Sequence, residues 1–369
     1  MIQHTALDLA RLSPAAQRAL GPGPGRTMAA RGLLPLAPAD QVAVLYQLSL
    51  DAESNLAQSA RATAAGLPER LLAGTLASPA TDPRVLDFFA QLLTDKPAVF
   101  DAIAGNPAAA DQTIATLAAR AGSREVDQLA QNEQRLLRHP EIIAAMYMNR
   151  RARMSTIDRV VELAVRNGVR VPGLAAWDEV ARALTGSPPA SAETDAMFAA
   201  MAAEAARDDS ALTRGDAEQA LPEDDAHAGP ADKAEDDAEE RRLTIPMKIR
   251  LATLGDAFER AKRIRDPNRI VAMAAIKAPG VTDIEAARYA GNQALAEDVI
   301  RYIAANRNWT KLYGVKVSLC RNPKAPISET TRFLLFLRQK DLQALSKSKS
   351  VPSALVAQAR KLVLSRSAK

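Results

Sequence analysis

Cysteine, histidine and aromatic residues are all scarce in this chain, and each shortage removes a class of function. One cysteine, Cys320, in 369 residues excludes an internal disulfide framework and fits a reducing compartment. The three histidines, His4, His139 and His227, lie far apart, so no metal set at ligand spacing exists and no metal or cofactor is expected. Phe, Trp and Tyr make up 4% of the residues, and Gly and Pro separate the apolar runs, which suits helices better than a β-sandwich. No apolar run reaches about 18 residues, so no transmembrane helix is expected. Met1–Gly25 lacks a basic start followed by an apolar core, so no secretory signal is expected either, and the cytoplasm is the default location. The G-x-G-x-x-G, P-loop and G-x-S-x-G signatures are missing. Gly21-Pro22-Gly23-Pro24-Gly25 is no phosphate cradle, because its prolines lack the N–H groups that cradle needs. With no catalytic constellation, the chain is not expected to be an enzyme.

What is present is apolar residue in quantity, 47%, much of it alanine, together with an uneven charge. Residues 1–200 hold 19 Lys/Arg against 20 Asp/Glu, residues 201–240 hold 3 against 14, and residues 241–369 hold 26 against 9. The overall charge of +5 therefore conceals a near-neutral part, an acidic part and a strongly basic part. Residues 223–240 contain no large apolar side chain and cannot offset their ordering entropy by burial. Four regions are expected: a flexible segment at 1–35, a helical-repeat domain at 36–185, an acidic disordered linker at 186–243 with a transient helix at Glu193–Arg207, and a basic helical-repeat domain at 244–369.

The clearest local signal is Arg321-Asn322-Pro323-Lys324-Ala325-Pro326-Ile327-Ser328 followed by Phe333–Leu337. The prolines end what precedes them, and Ser328 is expected to cap a helix with Thr330, Phe333, Leu334 and Leu337 on one face. Leu335 and Phe336 widen that face, so the helix is expected to be covered on more than one side. Similar turn-then-helix phrases recur at Ser78–Pro83, Gly105-Asn106-Pro107, Arg138-His139-Pro140, Asp266-Pro267, Lys277–Gly280 and Lys349–Pro352. Ser155–Asp158 reads as a capping box, Asn167-Gly168 as a helix stop, and Met247, Leu251, Leu254, Phe258 and Ala261 as one long helical face.

Asn-Pro turns followed by a capped Leu/Val helix, as at Asn106-Pro107 and Asn322-Pro323, resemble those of bacterial HEAT-like and leucine-rich-repeat-variant helical-repeat proteins. The likeness covers about Pro68–Val171 and Pro246–Leu364. It implies an all-α fold of two α-solenoid domains and a role as a binding scaffold. The iron–sulfur cysteine cluster attached to some leucine-rich-repeat-variant proteins is absent.

The expected function is accordingly a non-enzymatic scaffold whose helical-repeat surfaces engage partner proteins. The alternative is nucleic-acid or other polyanion binding by residues 244–369, modulated by the acidic linker folding back on them. Phosphate contacts would come from Lys248, Arg250, Lys262, Arg263, Arg265, Arg301, Arg307 and Lys311. Tyr302, Trp309 and Tyr313 would stack bases, or else pack a neighbouring helix. Cys320 reads as a small buried hydrophobe in preference to a thiol activated by Arg321.

Overall fold

The computed structural model describes residues 2–93, 95–184, 191–212 and 242–367, the side chains of 204–212 and 367 excepted. Those residues form α-helices and short 3-10 turns with no strand among them, in two compact units, Met1–Gly173 and Leu174–Lys369. No helix among the described residues is long and apolar enough to cross a membrane. The expected linker falls largely outside the described residues; its described part is taken up below.

The first unit holds α1 (Pro14–Leu20), α2 (Pro24–Ala30), α3 (Pro38–Ser49), α4 (Ser54–Gly66), α5 (Glu69–Leu76) and α6 (Pro83–Leu92). It continues with α7 (Pro97–Gly105), α8 (Asp111–Arg120), α9 (Ser123–Leu129), α10 (Glu133–Arg138), α11 (Glu141–Met148) and α12 (Met154–Arg166). Residues 1–35 are not a loose tail. Proline at the first turn starts α1 and α2 instead of merely breaking the chain, because its missing N–H has no helical acceptor there anyway. Ser13 Oγ accepts from the Ala16 N–H at 3.1 Å and donates to Asp40 at 2.7 Å, tying α1 to α3. Ala16, Ala19, Ala29 and Ala30 are buried, so small side chains let these short helices sit close on α3 and α4.

A repeated side-chain device joins successive helices. Asn106, Asn149 and Asn322 are buried, and each Oδ1 accepts from the N–H two residues on, which bends the chain after a helix. Each Nδ2 then donates to two main-chain carbonyls 28 to 32 residues earlier. Asn149 reaches Ala118 and Ala121, at 2.8 Å each. Arg135 fills a comparable position, reaching the carbonyls of Ala104, Asn106 and Ala109. These bonds satisfy helix-end carbonyls that burial would otherwise leave without donors.

α12 shows the helix rules at work and one correction. Ile157, Val160, Val161 and Ala164 recur on one buried face. Its end is a Schellman turn: Gly168, at φ +65°, and Val169 donate to Val165 and Ala164. The capping box expected at Ser155 does not form, because the helix begins one residue earlier at Met154 and has no side-chain cap. Thr156 instead bonds Asp127, which Arg153 also meets at 2.8 Å.

The second unit contains α13 (Trp177–Leu184), α14 (Ala192–Leu212), α15 (Ile245–Leu254), α16 (Ala257–Arg263), α17 (Arg269–Lys277) and α18 (Asp283–Gly291). It ends with α19 (Glu297–Ala305), α20 (Tyr313–Arg321), α21 (Ile327–Leu334), α22 (Gln339–Ser346) and α23 (Ser353–Ser367). α13 packs on α15 and α17 and buries Trp177; Trp309, in a 3-10 turn before α20, is buried as well. α14 corrects the expected linker in its first part: Phe198 is buried and the helix lies against α15. The long face expected from Met247 to Ala261 is two helices. Gly255 breaks it, passing so close to Leu251 O and Glu259 that a Cβ would sit 2.6 and 2.5 Å from them. Asp256 then caps α16, and Phe258 turns outward. α18 carries the full capping box, Thr282 with Glu285.

α21 places Thr330, Phe333 and Leu334 in the interior as their spacing predicts, and Leu337 is buried too, although it lies beyond the helix end. Ser328 is not its cap, since the helix starts at Ile327 behind Pro326. Nor is the helix covered all round. It stops at Leu334, and the turn that follows leaves Leu335 and Phe336 61% and 64% exposed.

Candidate functional site

The cations expected to meet phosphate do not share one surface. α15 is buried on nearly all sides, so Arg250 has no outward direction; its guanidinium lies 4.2 Å from the centre of the Phe198 ring. Arg263 is likewise interior and pairs with Glu259 at 3.1 Å. Lys248 pairs with Asp266 at 3.0 Å and Arg301 with Glu297 one turn earlier in the same helix. Lys262 is half-buried, while Arg265, Arg307 and Lys311 are exposed. Charge counting could not foresee this, because it ignores which way each helix faces.

The three rings expected to stack bases are engaged within the unit. Trp309 meets Tyr302 edge-on with centroids 6.1 Å apart, and Lys277 Nζ lies 5.8 Å over the Tyr302 ring. Arg338 covers Tyr313 at 4.8 Å, and the Tyr313 hydroxyl donates to Asp341 at 2.5 Å. Burial, with that carboxylate, raises the Tyr313 pKa.

Positive charge with little to offset it lies farther along. Residues 312–367 hold 11 Lys/Arg against two acids, Glu329 and Asp341. Both acids already have cations, Glu329 with Arg332 at 3.4 Å and Asp341 with Arg321 at 3.0 Å. Within this region stand the exposed Leu335 and Phe336. Lys316 Nζ, from α20, sits 4.9 Å from the Phe336 ring centre. Arg366, from α23, donates to the carbonyls of Leu335 and Leu337 at 2.7 Å each, fixing the turn. Two apolar side chains are thus presented on a braced turn with cations on both flanks.

No family model matches this chain, and no curated protein or solved structure proves similar to it.

Burial pushes the Cys320 thiol up to about 12 and keeps it protonated, with Sγ facing the Thr330 carbonyl at 3.7 Å. Among the described residues no group of three or more His, Cys, Asp or Glu side chains could hold a metal. In the second unit Arg260 and Glu285 form a buried bidentate pair at 3.0 and 3.2 Å. Burial works against the Glu285 charge, yet bonds from Arg260 and Thr282 outweigh it and lower the pKa.

Two of the open grooves on the first unit bear polar side chains of note. One, of about 690 Å³, is lined by Gln128, Asn132 and Arg135 among others. Arg135's burial lowers its pKa, with Asp111 opposing. The other, of about 970 Å³, runs between Leu7–Ser13 and the faces of α3, α5 and α6. At its edge Asp82 is held below the usual carboxylate range by the fork of Arg84, and burial raises Tyr46. Beside it His4 meets Asp87, a contact across 83 residues that no local pattern announces.

Proposed function

We propose that the chain is a non-catalytic scaffold of two HEAT-like α-solenoid units, and that α20–α23 bind an acidic partner protein. Asparagine bonds reaching back about one helix pair each time support stacked repeats. The observation that carries the binding reading is the Leu335-Phe336 turn, apolar and exposed among cations. Interface centres are apolar with charged rims, and a groove reading phosphates alone needs no such knob. An acidic segment carrying one or two apolar anchors would meet both features.

The full chain and its Leu335→Ser/Phe336→Ser variant, immobilised side by side in nuclease-treated extract, test this. A defined acidic protein retained by the first and lost by the second is expected. A partner set identical for both refutes the role of the turn. Polyanion binding is the second reading, favoured by the 11-to-2 charge ratio. It requires the full chain to shift a single-stranded oligonucleotide at about 50 mM salt with a steep salt slope, unaffected by the double substitution.

A further inference from the structure

Residues 2–8 form no helix or turn, and residues 4–7 lie across α3 and α6 as a bound peptide would. Two side chains anchor it. His4 Nε2 lies 2.9 Å from Asp87 Oδ2, with its ring 5.8 Å from that of Tyr46, and Leu7 is buried. Between the anchors the helices read main chain. The Tyr46 hydroxyl donates to Thr5 O at 2.9 Å, and Arg84 Nη1 to Ala6 O at 2.8 Å and to Thr5 Oγ1 at 3.0 Å. The Leu7 N–H donates to Gln47 Oε1 at 2.8 Å. Thr5 and Ala6 are exposed, and of their side chains the Thr5 hydroxyl meets Arg84, so the intervening positions impose less sequence demand than the anchors.

The receiving groups do not depend on the segment for their own order. Asp87 is fully buried, and a buried carboxylate is costly unless it is hydrogen-bonded. Without His4 it still accepts from Thr113 Oγ1 at 2.6 Å and from Gln91 Nε2 at 2.8 Å. Arg84 is aimed by Asp82, which accepts from its Nε at 2.9 Å and its Nη2 at 2.8 Å. Tyr46 is packed edge-on against Phe88 at 5.7 Å. A surface whose carboxylate and guanidinium keep partners of their own when vacated, with a place that buries a leucine and main-chain readers between, is built as a receptor.

We propose that this face of α3 and α6 is a recognition site for an extended partner peptide carrying histidine and, three residues later, leucine, and that residues 4–7 occupy it in cis. Burial of the leucine and the main-chain contacts supply affinity, and Asp87 selects an imidazole N–H. The site is separate from the Leu335-Phe336 turn, and either proposal can fail without the other.

The test uses the full chain with a protease site inserted between Ala10 and Arg11, both exposed. The probe is a fluorescent synthetic peptide of residues 2–10, followed by anisotropy. The cut chain is expected to release its own segment and take up the probe. The uncut chain, whose tethered segment competes at an effective concentration of about 1 mM, binds it at least about tenfold more weakly. A probe with alanine at both anchor positions binds the cut chain about tenfold more weakly than the parent probe, as expected when two anchors carry the energy. An uncut His4→Ala/Leu7→Ala chain, with weakened cis occupancy, is expected to bind the parent probe as the cut chain does. Failure of the cut chain to take up the probe, equal binding of the alanine probe, or loss of helical signal on cutting makes the segment a plain part of the core and overturns the proposal. So does a folded His4→Ala/Leu7→Ala chain that ignores the probe.

Discussion

Replacing Asn149 by alanine isolates the device that joins one helix pair to the next. The side chain is buried; its Nδ2 donates to the Ala118 and Ala121 carbonyls at 2.8 Å each, and its Oδ1 accepts from the Arg151 N–H at 2.9 Å. Three bonds at about 1 kcal/mol each give about 3 kcal/mol, and carbonyls left buried without donors add to that. For a unit of this size the loss corresponds to a fall of about 6–12 °C in Tm. Asn167→Ala is the control. Its Nδ2 donates to Leu163 O at 2.8 Å within the same exposed helix end, and its removal costs about 0.5 kcal/mol or less. Thermal and urea unfolding followed by far-ultraviolet ellipticity measure both. If Asn149→Ala costs no more than Asn167→Ala, the long reach of the amide contributes nothing and the reasoning fails.

Adjacent leucines at the α21 turn should behave in opposite ways. Leu334→Ala costs about 2–5 kcal/mol, whereas Leu335→Ala stays within about 0.5 kcal/mol, both read by urea unfolding. The Glu285 pKa lies below the ordinary 4.5 in the folded unit, so its stabilisation is complete above the unfolded value and lost as pH falls through the folded one. Stability against pH should therefore drop below about 4.5 in the parent, and Glu285→Gln should lower stability at neutral pH and remove that part of the acid slope. Cys320, buried and with its pKa pushed to about 12, should resist an aromatic disulfide reagent at pH 8 and react fully in denaturant. Ready reaction of the folded chain would show that the helix pair around it opens.

Turn chemistry was the readable part of this sequence, because proline and asparagine act within a few residues of themselves. Pro83, Asn106, Pro140 and Asn322 each mark a helix boundary close to where one occurs. Asn149 escaped notice, since it performs the same bonding without a following proline. What composition could not convey is direction. Arg250 and Phe198 look like a surface cation and a residue of a polar linker until α14 packs on α15 and joins them. The run Phe333–Leu337 likewise gives no hint that its helix ends at Leu334, which separates a core leucine from an exposed one by a single position. Contacts such as His4 with Asp87 depend on how the chain folds back, and periodicity carries no record of that.

The placement of the two indoles has a practical side. Trp177 and Trp309 are the chain's two tryptophans, and both are buried in the second unit. Intrinsic emission excited at the red edge is therefore blind to Met1–Gly173, whereas peptide-bond absorption senses every helix. Comparing the two optical signals during one denaturant titration separates the melting of each half without any attached label.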